Sequence, residues 1–115
     1  MLIKIQGNHD HMVVKIQNDI MMSNVAEFSD EFRAVFDKNP KFLSIDLQDV
    51  KFMDSSGIGA LINLTSEIKK KGTEISVFNM HKSLYSVFKL SGLYHIMELY
   101  KDNADFFNKF PDLEV

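Results

Sequence analysis

The segment of this chain best suited to chemistry is Phe52-Met53-Asp54-Ser55-Ser56-Gly57-Ile58-Gly59-Ala60-Leu61. It opens a helical pattern directly after a strand-like one, and α/β sheets place their sites at the carboxyl ends of strands. Free backbone N–H groups at a helix start point outward with partial positive charge. A serine hydroxyl held there lies at the surface, and a phosphate on it would sit in a favourable dipole while adding roughly −1.5 to −2 charges to one small patch. A partner fitted to the neutral hydroxyl would then meet new charge and a desolvation cost. The chemistry implied is a switchable contact. The same residues also have a structural use, because Asp and Ser are the preferred helix N-caps. Gly57 and Gly59 each cost about 1 kcal/mol relative to Ala inside a helix. Their presence argues for close backbone approach or for a bare surface that leaves room for a partner. Neither G-x-G-x-x-G nor G-x-x-x-x-G-K-[ST] occurs, so this is not a nucleotide phosphate loop.

The elements that must position this segment follow from periodicity. Ile3 and Ile5 alternate with Lys4 and Gln6, and Met12, Val14 and Ile16 with Val13, Lys15 and Gln17. The turn residues Gly7-Asn8-His9-Asp10 between them predict an antiparallel hairpin. Val25, Phe28, Phe32, Val35 and Phe36 then share one helical face. Ser23 or Asn24 can cap it, Asn24 and Glu27 have capping-box spacing, and Asn39-Pro40 ends the helix. Leu43, Ile45 and Leu47 mark a third strand, followed by a loop from Asp49 to Asp54. A second helix runs from Ser55 or Ser56 to Lys71, with Ile58, Leu61, Ile62, Thr65 and Ile68 as its buried stripe and Gly72 as a left-handed stop. A strand at Ile75 and Val77, a helix carrying Leu84, Val87 and Phe88 and closed by Gly92, a strand over 96–100 and a short helix from Asp102 or Asn103 to Phe110 complete the chain. The fold class expected is α/β: a single domain over 1–115 with a mixed sheet, an N-terminal hairpin and helices packed mainly on one face. The order is β-β-α-β-α-β-α-β-α.

Composition narrows the function. The 115 residues carry a net charge of −3, which argues against a non-specific nucleic-acid binder. There is no cysteine, hence no disulfide framework, thiol nucleophile or thiolate zinc site. The N-terminus lacks the apolar core of a signal peptide and no apolar run reaches membrane-spanning length, so a cytoplasmic domain is expected. His9-Asp10-His11 has metal-ligand residue types, but it sits in a hairpin turn with no distant ligand to complete a site. A serine hydrolase would need G-x-S-x-G and a legible acid–base pair. A receiver domain with Asp54 as acceptor would need an acidic cluster after its first strand, where only Asp10 stands, and it would not begin with a hairpin. Lys69-Lys70-Lys71 reads as a solvated helix end that complements the dipole. Phe28/Phe32/Phe36 and Phe106/Phe107/Phe110 read as core or a docking face, and the last helix suits either packing back on the domain or serving a dimer.

Ile45 through Leu61, with its Asp54-Ser55-Ser56-Gly57-Ile58-Gly59 centre, resembles the signature of STAS domains, most closely that of bacterial anti-sigma factor antagonists. Gly72 with the strand Glu74–Phe78, and Val87-Phe88-Lys89-Leu90-Ser91-Gly92-Leu93, are similar to the family's second half, and the element order agrees along nearly the whole chain. The resemblance implies an unphosphorylated antagonist that captures an anti-sigma factor, itself a serine kinase, and frees the sigma factor. Phosphorylation would end the capture and a metal-dependent serine phosphatase would restore it. By position the acceptor is Ser55, with Asp54, Ser56, Gly57 and Ile58 as its recognition surface. Nucleotide and metal would belong to the partner, so the chain needs no cofactor. One departure stands out. The family's G-x-[LI]-D becomes Asn18-Asp19-Ile20-Met21, with Asn18 for the Gly and Met21 for the Asp. The resemblance places this loop, with Asp19 and Met21, in the partner surface beside Ser55. Met21-Met22 then either offers a soft apolar contact or merely covers the helix start. The same family also includes non-switching scaffold or accessory subunits of stressosome, chemosensory and lipid-transport assemblies.

Overall fold

The computed structural model describes residues 1–113 and, at Phe36, the backbone alone. Ile3–Gly7 (β1) and His11–Ile16 (β2) form the expected hairpin, antiparallel from Ile3↔Ile16 to Gly7↔Met12. The Asn8 Oδ1 closes its turn by accepting from the N–H groups of Asp10 and His11. Beyond β2 the sheet is parallel. Phe42–Asp46 (β3), Glu74–Phe78 (β4) and Glu98–Leu99 (β5) follow, giving the order β1-β2-β3-β4-β5. The helices are Val25–Arg33 (α1), Ser55–Lys70 (α2), Lys82–Leu90 (α3) and Asn103–Lys109 (α4).

Strand alternation assigns the two faces. Met12, Val14, Leu43, Ile45, Ile75 and Val77 point to one side, where they meet Phe28 and Phe32 of α1, Leu61 and Ile68 of α2, and Leu84 and Phe88 of α3 in one continuous core. Val13 and Phe78 point to the other side, where Phe106 of α4 packs on them with Tyr100, Phe110 and Leu113. Three helices therefore lie on one face and one on the other, as the half-apolar strands predict.

The departures from the sequence reading are local and have physical causes. The expected capping box at Asn24 does not form. Its Oδ1 instead accepts from the Met21 N–H and its Nδ2 donates to the Asp19 carbonyl, so the side chain closes the preceding loop. The first helix ends at Arg33, and a 3-10 turn over Phe36–Lys38 leads to a left-handed Asn39 before Pro40. On α2, Leu64 is buried where Ile62 was expected, and Ile62 is half-buried. Gly72 takes the left-handed conformation predicted for it. The last strand shrinks to two residues because Leu93–His95 is a 3-10 turn, and its Leu93 carbonyl accepts from the N–H groups of Ile96 and Met97. Those two donors are no longer free for a ladder with β4.

Candidate functional site

Two loops leave the carboxyl ends of β2 and β3, and a set of side-chain carboxylates ties them together. An isolated parallel bridge joins Ile20 to Met53. The Asp54 N–H donates to the Ile20 carbonyl at 3.2 Å. Asp19 Oδ1 accepts from the N–H groups of Lys51 (2.8 Å) and Phe52 (3.2 Å). Asp54 is the N-cap of α2, in extended backbone, and its Oδ1 accepts from the Gly57 N–H at 3.0 Å. Its Oδ2 accepts from the Met22 N–H at 2.9 Å, so one carboxylate starts the helix and holds the neighbouring loop. These donors, Gly57 first and Met22 next, hold the Asp54 carboxyl below its ordinary range against a smaller opposing effect of desolvation, with the Ser56 N–H adding to them. Asp54 is thus ionised at neutral pH, beside Ser55.

Ser55 is the first residue of α2 and is exposed. Its hydroxyl makes no hydrogen bond among the described residues, so nothing in the fold competes for it. Ser56 is half-buried. Both serines border a groove of about 440 Å³ between α1 and α2, further lined by Ser29, Arg33, Gly59 and Asn63. An exposed hydroxyl on the first turn, next to a fixed carboxylate at a helix N-terminus, suits covalent modification of the hydroxyl.

The other expected site residues divide into exposed and buried. Met21 is exposed beside the cap, while Asp19 is half-buried and its carboxylate turns toward the Lys51 and Phe52 N–H groups. Gly57 and Ile58 are buried. The room that Gly57 leaves is filled from within. A Cβ there would lie 2.6 Å from the Ile20 carbonyl oxygen, so the bare position admits the chain's own loop and not a partner. At Gly59 a Cβ would meet nothing within 4 Å, which matches the expected open surface. Phe52 carried no expectation of a role in the sequence, yet it is 52% exposed and Met22 is 76% exposed. Together with the exposed Met21 they put three large apolar side chains on the loops held by Asp19 and Asp54. His9 and Asp10 stay at the exposed hairpin turn, whereas His11 is buried on the sheet's second face with Nε2 2.6 Å from Ser44 Oγ.

The Asp19 geometry separates a positioning role from a contact role. Asp19→Asn keeps the Oδ1 acceptor and removes the charge, so the Lys51 and Phe52 amide resonances should stay near their wild-type positions. Asp19→Ala leaves both N–H groups without that partner and should destabilise the fold by about 1 kcal/mol. Denaturant titration with amide chemical shifts checks both. A loss in the Asn variant as large as in the Ala variant would assign the effect to charge instead.

Known proteins share this architecture. A profile of the STAS domain matches residues 3–106, from β1 into α4. The anti-sigma F factor antagonist of Paenibacillus polymyxa is 25% identical over 115 residues, which is 100% of this chain and 87% of that protein. Among solved structures, an anti-sigma factor antagonist from Mycobacterium paratuberculosis superposes with a TM-score of 0.76 at 22% identity, covering 96% of this chain and 93% of that one. The phosphorylated form of the Bacillus cell fate determinant SpoIIAA superposes with a TM-score of 0.63 at 17% identity, covering 90% and 96%. With the hairpin-led sheet, the capped Asp54-Ser55 helix start and a profile match over nearly its whole length, this chain belongs to the STAS domain family.

Proposed function

We propose that the chain is an anti-sigma factor antagonist that works by partner switching at Ser55. Unphosphorylated, it binds an anti-sigma factor with serine kinase activity. Phosphate on Ser55 ends that binding and a serine phosphatase restores it. The observation that carries this reading is the placement of Ser55: an exposed hydroxyl with no hydrogen bond among the described residues, on the first turn of a helix whose cap also fixes the adjoining loop. The names of its relatives support the antagonist role. A phosphate would sit beside the ionised Asp54, next to loops that expose Met21, Met22 and Phe52. It would put about two negative charges where a partner must desolvate the surface. The chain acts as the substrate of the kinase and is not itself an enzyme. Nucleotide and metal are the partner's.

The test is mass mapping after incubation with ATP, Mg²⁺ and extract of the host cell. Cleavage after lysine releases Phe52–Lys69, which contains Ser55 and Ser56. One phosphate at Ser55, absent in Ser55→Ala, is the expected result. Ser55→Asp should bind the kinase partner at least about tenfold more weakly than Ser55→Ala, with an unchanged melting temperature. An unmodified peptide, in an extract that modifies a related antagonist, would instead favour a constitutive scaffold subunit. The replacement of the family's Gly and Asp by Asn18 and Met21 favours that second reading.

A further inference from the structure

The second face of the sheet carries a polar row that the Ser55 site does not use. His11 is 8% exposed, Ser44 0% and Ser76 6%. His11 Nε2 lies 2.6 Å from Ser44 Oγ, and Ser44 Oγ lies 2.8 Å from Ser76 Oγ. The three side chains thus form one hydrogen-bonded chain across β2, β3 and β4. Two aromatic rings close over its imidazole end. Phe110, directly after α4, meets the His11 ring edge-on at 4.6 Å, and Phe42 lies 5.4 Å away. Phe42 and Phe110 also touch each other at 5.3 Å. The carboxyl end of α4 is therefore seated on a titratable ring.

We propose that His11 is a pH-operated latch for α4: neutral, it holds Phe110 against the sheet, and protonated, it releases the carboxyl end of α4. An imidazolium needs water or a carboxylate. The route to water next to the ring is a hollow that His11 lines together with Asn8, Lys109, Phe110, Pro111, Asp112 and Leu113, with the Phe110 ring packed edge-on against the imidazole. Charged groups there do not supply a dedicated counter-ion. Lys109 on α4 is itself cationic and is paired with Glu98 of β5 at 3.0 Å. Asp112 is exposed to solvent. From β3 the ring meets Ser44 and Phe42; Glu74 of β4, paired with Phe42, is exposed to solvent in the groove lined by Phe42 and Phe110, and Asp10 and His9 before β2 are exposed at the turn. Burial accordingly pushes the His11 imidazole below its ordinary range.

The sign follows. A histidine whose proton affinity is lowered by folding contributes stability that is complete above its unfolded value of about 6.5 and fades as pH falls below it. The element affected is α4, because a helix of seven residues has little stability of its own once its contacts loosen. Release would uncover Phe110 and expose the Ser44–Ser76 row. The Ser55 site would stay assembled, since its ties lie at the other end of the strands.

Amide hydrogen exchange on the full chain tests the latch, comparing about pH 7.5 with about pH 5.5 after correction for intrinsic rates. Protection of the Phe107, Lys109 and Phe110 amides should fall about fivefold or more at the lower pH, while α2 amides in the Leu61–Ile68 stretch hold. His11→Phe keeps an aromatic ring and removes the titration, so its α4 protection should be flat with pH. If that variant folds poorly, the wild-type imidazole resonances provide the second readout. The His11 midpoint should lie below the ordinary imidazole value of about 6.5 and coincide with the α4 change. Flat α4 protection in the wild type, an equal fall in His11→Phe, or a His11 midpoint at or above about 6.5 would each overturn the latch.

Discussion

Gly57→Ala should destabilise the protein by about 2–3 kcal/mol, although alanine is the better helix former. The new Cβ would lie 2.6 Å from the Ile20 carbonyl oxygen and 3.1 Å from the Ile20 Cγ2. The oxygen belongs to backbone that is fixed on both sides, by the bridge to Met53 and by the hydrogen bond from the Asp54 N–H. Relief therefore requires α2 and the Asp19–Met22 loop to separate, which breaks the Asp54 link to Met22 as well. The comparison that isolates the cause is Gly59→Ala, two residues on. There a Cβ meets nothing, so the helix-propensity gain of about 1 kcal/mol stands alone and the variant should be more stable than wild type. Opposite signs in two thermal melts, with a drop of roughly 10 °C for Gly57→Ala and a rise of a few degrees for Gly59→Ala, are the expected outcome. Two shifts of the same sign would show that the close approach of Ile20 does not control this helix start.

Phe106→Ala should cost about 3 kcal/mol and act first on α4. Phe106 is fully buried, stacks on Phe78 at 4.0 Å and meets Tyr100 edge-on at 5.4 Å. It belongs to the small apolar layer on the second face, which among the described residues no other helix covers. Truncation should leave α4 frayed, with its amides exchanging before the rest of the domain unfolds. Phe107→Ala next to it should cost under about 1 kcal/mol, because Phe107 is partly exposed. Urea unfolding with site-resolved exchange separates these outcomes. Equal costs for Phe106 and Phe107 would mean that α4 is not anchored through the Phe106 side chain. The burial of Phe106 also settles its part of the phenylalanine stripe, which serves packing within the domain.

The parts of the structure that depend on neighbours in sequence were legible in the sequence. Asp54 caps α2 and Ser55 starts it because an N-cap acts over three residues, and the hairpin follows from alternation around Gly7-Asn8. Close approach at Gly57 was one of two readings, yet nothing nearby in the chain identifies Ile20 as the neighbour. Asp19 illustrates the limit. Its carboxylate bonds to residues 32 and 33 positions away, and a carboxylate in a loop reads the same whether it faces a partner or the chain's own N–H groups. Asn24 satisfied the spacing of a capping box, but two loop groups, the Met21 N–H and the Asp19 carbonyl, take its side chain. Leu64 and Ile62 are two positions apart on α2. Which of them turns inward depends on how the helix is rolled against the sheet, a tertiary quantity that periodicity leaves open. The shortness of β5 reflects a competition between a 3-10 turn and a ladder for the same donors.

The bridge between Ile20 and Met53 bears on the order in which the molecule assembles. The ties from Met22 to Asp54 and from Lys51 to Asp19 each span 32 positions, and in an unfolded chain each would have to close a loop of that size. Pairing of β2 with β3 removes most of that separation. Once Lys15 is opposite Asp46, only the short stretches to Ile20 and Met53 remain to be joined. The loops around Ser55 therefore assemble as a late, small step on a finished parallel ladder, and they are the first part of that ladder to open again. Substitutions in them should change the unfolding rate far more than the folding rate, so the kinetic behaviour of the switch region can be tuned without altering how the domain finds its fold.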